Sequence, residues 1–349
     1  MSRKMQAPGR WAEVAALVLA AFGSAAAHGA APALQGYGAD SRHATVSGLS
    51  SGAFMAVQLQ VAHSATFIGA GIVAGGPYYC ADNNVYFAGI CMGQVPLAPP
   101  DPSGMVGAAK AAAVAHEIDS LVYLKKRRVY VFGGTKDSIV LPPAVDATVE
   151  FFKRVGVTGP RLVYVNSVPA GHALITPAAG NDCAANAAPY ISHCSVDGSG
   201  YDQAGAILQH VYGGTLHAPA SAPGGQLASF DQRPFAPASA TGMASTAYLY
   251  VPRACESAGS RCKVHVALHG CLQSADSVGD RFATETGYNR WADSNAMLVL
   301  YPQIDNAALA SNPNGCWDWW GYTGPDYAYR SSPQMKAIMA MLKRLAQKP

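Results

Sequence analysis

Gly48-Leu49-Ser50-Ser51-Gly52 fits the pattern G-x-S-x-G, between a β-like lead-in, Ala44-Thr45-Val46, and a helix-like follow-on, Ala53-Phe54-Met55-Ala56-Val57-Gln58. Strand, tight turn and helix in that order project a serine hydroxyl from a sharp elbow, where it can attack a carbonyl. Glycines two positions to either side let the helix pack closely on the strand, and that requirement separates the two serines. Gly48 and Gly52 flank Ser50, whereas Leu49 and Ala53 flank Ser51. Ser50 is therefore the expected nucleophile, with the Ser51 amide placed to help stabilise an oxyanion. In a chain with 36 glycines the motif alone arises by chance, so its weight rests on its context.

A serine nucleophile needs a base, and the base needs an orienting acid. In α/β hydrolases the acid and then the histidine follow the serine. Arg128–Phe132 reads as a buried strand and Gly133-Gly134-Thr135-Lys136-Asp137-Ser138 as the turn beyond it, which puts Asp137 at the acid position. The next strand, Leu162–Asn166, leads into Val168-Pro169-Ala170-Gly171-His172, which puts His172 at the base position. Each has a plainer reading: Asp137 could cap the helix entered near Pro142, and His172 could be an ordinary loop histidine. Position and order favour the catalytic reading. His116 and His210 fall within helical patterns, and His193 lies between Cys183 and Cys194.

Val264-His265-Val266-Ala267-Leu268-His269-Gly270-Cys271 is an apolar strand ending in His-Gly. Such an element ordinarily precedes the nucleophile and supplies a second oxyanion amide. Here it comes after Ser50, and no similar element comes before. A circular permutation, with the first half of the sheet moved to the end of the chain, reconciles the order. It makes the Cys271 amide the partner of Ser51 in the oxyanion hole.

The elements that must hold these residues alternate. Strands are expected at Ile68–Ala74, Arg128–Phe132, Leu162–Asn166, Ala247–Val251, Val264–Leu268 and Met297–Tyr301. Helices are expected at Ala53–His63, Met105–Leu124, Pro142–Val155, Tyr201–Val211, Phe282–Ser294 and Pro333–Gln347. This alternation predicts an α/β fold, a mainly parallel sheet with helices on both faces. Pro96–Pro102 and Pro219–Pro237 read as surface excursions, the second marking a crossing between parts of the sheet. Of 349 residues, 50% are hydrophobic and 13% charged, which excludes a disordered chain. A net charge of +3 with scattered Lys and Arg excludes an electrostatic nucleic-acid binder.

Arg3, Lys4 and Arg10, the apolar run Val14–Phe22 and Ser24-Ala25-Ala26-Ala27 make the three parts of a secretory signal peptide. Cleavage is expected after Ala27, leaving one catalytic domain over 28–349. The apolar run is short of the ~20 residues that span a bilayer, so no stable membrane insertion is expected after cleavage. All eight cysteines lie beyond that point, and an even number in an exported chain reads as disulfides. Pairing between neighbours gives Cys80–Cys91, Cys183–Cys194, Cys255–Cys262 and Cys271–Cys316. There is no C-x-x-C, and neither metal nor organic cofactor is required by the chemistry.

G-L-S-S-G, G-G-T-K-D, P-A-G-H, L-H-G-C and the late G-C-W-D-W-W together resemble the poly(3-hydroxybutyrate) depolymerases, above all their single-domain, circularly permuted type. The resemblance implies the triad Ser50, Asp137 and His172, oxyanion amides from Ser51 and Cys271, a polyester or oligomer substrate, and a secreted or periplasmic location. Many bacterial members add a linker and a substrate-binding domain, and neither is visible here. Trp317, Trp319 and Trp320 form the densest aromatic cluster, with Trp317 beside Cys316 the expected substrate contact; core packing is the competing role. The alternative function is a secreted carboxylesterase on soluble or cell-wall acyl esters, such as acetyl or feruloyl groups. A catalytically dead binding protein of the same fold is the non-enzymatic alternative.

Overall fold

In a computed structural model, residues 31–257 and 260–349 are described; the expected leader and its cleavage point lie outside them. The strands of the main sheet are β1 (Ala44–Leu49), β2 (Phe67–Val73), β3 (Arg128–Phe132), β4 (Leu162–Val165), β5 (Gln226–Asp231), β6 (Thr246–Val251), β7 (Lys263–Leu268) and β8 (Met297–Tyr301), and five strands of two or three residues between Leu174 and Gly200 form two small sheets apart from it. The main sheet has the order β5-β6-β8-β7-β1-β2-β3-β4. β6 runs antiparallel to both neighbours and every other pair is parallel. β1 is buried along its whole length, as befits a parallel strand covered on both sides.

The principal helices are α1 (Ser51–Ala62), α2 (Pro102–Val114), α3 (Pro142–Arg154), α4 (Gln203–Val211), α5 (Arg281–Glu285), α6 (Tyr288–Ser294) and α7 (Pro333–Ala346). α1 has no polar face, and every one of its residues is buried, which makes it the central helix of the core. α4 lies so close to β2 that a Cβ on Gly71 would strike Ile207. α6 reaches the same face through Tyr288, whose hydroxyl bonds Ser47 at 2.6 Å.

The permutation is visible in the strand order. Read from β5 to β8 and then from β1 to β4, the strands occupy the sheet as 1-2-4-3-5-6-7-8. β1 is then fifth, and the His269-Gly270 loop follows the third strand, where α/β hydrolases keep an oxyanion amide. The segment before β1 is bonded to the end of α7: Tyr37 and Ala39 N–H donate to the Leu345 carbonyl and Gly38 N–H to that of Gln347.

Three expectations needed correction. The Pro-rich stretch 219–237 contains the edge strand β5, which lies mostly half-buried or exposed and so lacks the apolar signature of the other strands. The helix expected to run to Leu124 ends at Val114, where His116 turns to φ 60° without a glycine to announce it. The helix expected over Phe282–Ser294 is two, because Gly287 at φ 92° breaks it. The four disulfides join the expected neighbours, Cys80–Cys91, Cys183–Cys194, Cys255–Cys262 and Cys271–Cys316.

Beneath the nucleophile strand sits a buried polar knot. His265 of β7 meets Thr45 Oγ1 through Nδ1 and Ser47 Oγ through Nε2, each at 2.8 Å. Burial lowers the His265 pKa to about 3, and His269 and His63 to about 4. These groups protonate more readily in the unfolded chain, so stability falls as pH drops below about 6.5. Lowering the pH from 7 to 5 should cost about 2 kcal/mol per histidine. Thermal midpoints measured over that range should fall, and His265→Gln should flatten the slope; an unchanged slope would contradict this account.

Candidate active site

Ser50 occupies the turn between β1 and α1 with φ 56° and ψ −122°, a strained conformation for a residue with a side chain. The elbow is held by its own backbone: Ser50 N–H donates to Val73 O at 3.0 Å, and Ser50 O accepts from Ala53 and Phe54 N–H at 2.8 and 3.0 Å. The flanking glycines are sterically required. A Cβ on Gly48 would run into the Gly52 carbonyl, and one on Gly52 into the carbonyl oxygens of Leu268 and His269. α1 thus begins in direct contact with the ends of β1 and β7.

Asp137 lies in the turn after β3, and its two oxygens have different tasks. Oδ1 accepts from Ile139 and Val140 N–H at 2.8 and 3.0 Å, which fixes the carboxylate plane. Oδ2 lies 2.8 Å from His172 Nδ1. Both side chains are buried, and a carboxylate can only accept, so Nδ1 carries the proton and Nε2 is left basic. The helix-cap reading of Asp137 does not hold: α3 has Leu141 at its N-cap and no side-chain cap bond.

Asn186, which sequence reasoning missed, joins the acid and base loops. Its Oδ1 accepts from His172 N–H at 2.8 Å and Ser138 N–H at 3.0 Å, while Nδ2 donates to Lys136 O at 3.1 Å. A Cβ on Gly134 would strike the Ala170 carbonyl and one on Gly171 the Ala185 carbonyl, so these loops touch backbone to backbone. No local pattern marks Asn186, because every partner except Ala184 is far away in sequence.

The third wall is the loop after β7. A Cβ on Gly270 would sit 3.3 Å from Ser50 Cβ. Gly270 N–H donates to Gln273 Oε1 and Leu272 N–H to Asn314 O, each at 2.7 Å. The Cys271 N–H between them has no hydrogen-bond partner among the described residues, and neither has the Ser51 N–H in the first turn of α1. The Cys271–Cys316 disulfide ties this loop to the aromatic segment.

Ser50, Ser51, His172 and Cys271 all line one cavity of about 330 Å³. Its walls are mainly apolar, with Phe54, Met92, Ile139, Trp319 and Trp320 among them, and its edge exposes Val85 and Leu272. Neither His116, His210 nor His193 reaches it.

The structure corrects the role of Trp317. Its side chain is fully buried, packed against His269 at 5.6 Å between ring centres, and the backbone N–H of Trp317 donates to Ser51 Oγ at 3.2 Å. It supports the elbow from behind and does not line the cavity. The aromatic lining comes instead from Trp319, stacked on Phe54 at 4.3 Å, and from Trp320, edge-on to Trp319. Asp318 holds the pair in place: its carboxylate accepts from the N–H groups of Trp320, Gly321, Tyr322 and Thr323 and from the Thr323 hydroxyl. Trp320→Ala should raise KM for a soluble ester by about tenfold with little loss of stability, whereas Trp317→Ala should cost about 3 kcal/mol or more. Steady-state kinetics and thermal melts of the two variants check this contrast; equal KM values would remove Trp320 from the binding site.

Among the described residues, no group of three or more His, Cys, Asp or Glu side chains is placed to hold a metal ion. None of the helices described is long and apolar enough to cross a membrane.

No family model matches the sequence. The chain is 44% identical to a poly(3-hydroxybutyrate) depolymerase of Delftia acidovorans over 93% of its own length, and spans 66% of that relative. It is 38% identical to a polyhydroxybutyrate depolymerase of Talaromyces funiculosus, covering 92% of this chain and 94% of the relative. The PHB depolymerase from Penicillium funiculosum superimposes with a TM-score of 0.80 at 37% identity, over 90% of this chain and 98% of that one. A serine-to-alanine PHB depolymerase complexed with an R3HB trimer gives the same TM-score and coverage at 36% identity. The strand order, the placement of the elbow and these likenesses over nearly the whole length agree: the chain belongs to the polyhydroxybutyrate depolymerase family of carboxylic ester hydrolases.

Proposed function

We propose that the protein hydrolyses ester bonds of poly(3-hydroxybutyrate) or its oligomers through an acyl-enzyme on Ser50. The observation that carries this reading is the buried Asp137–His172 pair at 2.8 Å, with His172 facing the apolar cavity that Ser50 also lines. His172 Nε2 takes the Ser50 proton as Oγ attacks the carbonyl carbon. The Ser51 and Cys271 N–H groups receive the negative charge on the carbonyl oxygen. Two such donors contribute on the order of several kcal/mol to the transition state. His172 then protonates the leaving alkoxide, and a water molecule, deprotonated by the same nitrogen, releases the 3-hydroxyacyl group. Asp137 holds the imidazole and stabilises its cationic form.

The cavity suits a chain of methyl-bearing repeats, since Phe54, Ile139, Trp319 and Trp320 offer apolar surface on several sides. The exposed Val85 and Leu272 at its edge fit a water-insoluble substrate better than a sugar-borne acyl group. Export fits the same reading, because the four disulfides require an oxidising compartment and the first 27 residues have the parts of a leader. The test is clearing of a poly(3-hydroxybutyrate) particle suspension beside hydrolysis of nitrophenyl butyrate. Both are expected. Ester hydrolysis without clearing of particles or cleavage of oligomers would move the protein to the soluble-ester hydrolases.

A further inference from the structure

His172 lies on a loop, and its backbone N–H donates to Oδ1 of Asn186 at 2.8 Å. The same oxygen accepts the N–H of Ser138, the residue after the acid, at 3.0 Å. The amide nitrogen of Asn186 donates to the carbonyls of Lys136, the residue before the acid, and Ala184, each at 3.1 Å. Backbone N–H groups only donate and carbonyls only accept, so these four partners fix which way the amide faces. Asn186 therefore holds Asp137 from both sides and the base directly. The backbone bonds between the two loops, Thr135 N–H to Val168 O at 2.9 Å and Lys136 N–H to Ala170 O at 3.0 Å, stop short of both catalytic residues.

The loop that carries Asn186 is itself held at several points. The Cys183–Cys194 disulfide closes it, and the N–H of Gly171, one residue before the base, donates to Cys183 O at 2.8 Å. From the other half of the chain, Gln273 Nε2 donates to Pro189 O and Tyr190 O at 2.9 and 3.1 Å. We propose that Asn186 is a positioning residue for catalysis: its one shared oxygen holds the backbones of acid and base in the register that keeps the Asp137 carboxylate on His172 Nδ1. The inference rests on the reading of Asp137 and His172 as the acid–base pair and deepens it.

Three variants separate this role from general support of the loop. Asn186→Ala removes the shared oxygen. Asn186→Asp keeps it, and because Lys136 and Ala184 are exposed, water can take over their carbonyls. Asn181→Ala removes a different brace of the same loop, the Nδ2 bonds to Ala187 O and Ala188 O, which touch neither acid nor base. With nitrophenyl butyrate, Asn186→Ala should lower kcat by about 10- to 100-fold with KM within about twofold, as a small displacement of the catalytic pair would. The other two variants should stay within about fivefold of the parent. Proton NMR gives the second readout, since a proton shared with a carboxylate in a buried, charge-assisted bond resonates far downfield. The His172 Nδ1–H signal should be present in the parent, Asn186→Asp and Asn181→Ala, and lost in Asn186→Ala. Equal kcat losses in Asn186→Ala and Asn181→Ala, or an unchanged kcat in Asn186→Ala, would overturn the proposal. If Asn186→Ala does not fold, loss of the signal in a folded Asn186→Asp overturns it. Asp137→Ala, assayed alongside, keeps the two readings apart. Retained turnover there refutes the pair itself, whereas the expected loss there beside a fully active Asn186→Ala refutes the anchor alone.

Discussion

Ser50→Ala should lower turnover of nitrophenyl butyrate by at least about 10⁴-fold, because no other hydroxyl can take the acyl group in the same geometry. Ser51 is next in sequence, but it is buried in the first turn of α1 and its Oγ is engaged by the Trp317 backbone N–H. Stability should hardly change, since alanine fits the space and keeps the same strained backbone. Ser50→Gly makes the sharper test. Glycine adopts φ 56° and ψ −122° freely, so this variant should be as inactive as the alanine one yet more stable by about 1 kcal/mol. Activity assays and calorimetry on the pair check both halves. Retained turnover in either variant would mean that the attacking group has been misassigned.

Asp137→Asn should cut kcat by about 10³- to 10⁴-fold with little effect on KM. Oδ1 of Asp137 accepts two backbone N–H groups, from Ile139 and Val140, and that environment can hold only an oxygen. In the variant the amide NH₂ must therefore face His172 Nδ1 and donate to it. The imidazole proton is then forced onto Nε2, where it can no longer take one from Ser50. Because the fault lies in the tautomer and not in the charge of the imidazole, raising the pH does not free Nε2. The pH profile of kcat and the imidazole nitrogen shifts in NMR both report on it. A loss smaller than tenfold would mean that Asp137 only shapes its turn.

Much of the site was legible because its chemistry is written locally. Gly48, Ser50 and Gly52 lie within one turn, and each of Asp137 and His172 follows an apolar strand. The paired cysteines were legible too, since three of the four bridges close loops with separations of 7 to 11 residues. What escaped has long-range causes. Trp317, Trp319 and Trp320 look alike in sequence; which of them faces the cavity is decided by the bonds from the backbone to the Asp318 carboxylate and by the packing of Trp317 on His269. Asn186 acts across 48 and 14 residues, on Ser138 and His172, and leaves no mark in its own neighbourhood. β5 was hidden for the opposite reason. An edge strand with one partner buries too little apolar surface to read as a strand.

The permuted strand order also governs how this protein comes together during synthesis. Thr45 and His265 are partners across β1 and β7 although 220 residues separate them. The ribosome delivers β1 to β4 first, so half of the sheet can pair while the other edge of β1, the middle of the final sheet, stays open. Closure of so distant a pair is slow, and an open edge invites pairing with other chains. Thr45 and Ser47 give that waiting strand two hydroxyl groups in an otherwise mostly apolar run. The residues that later bind His265 thus also keep the nascent edge from being a wholly greasy one.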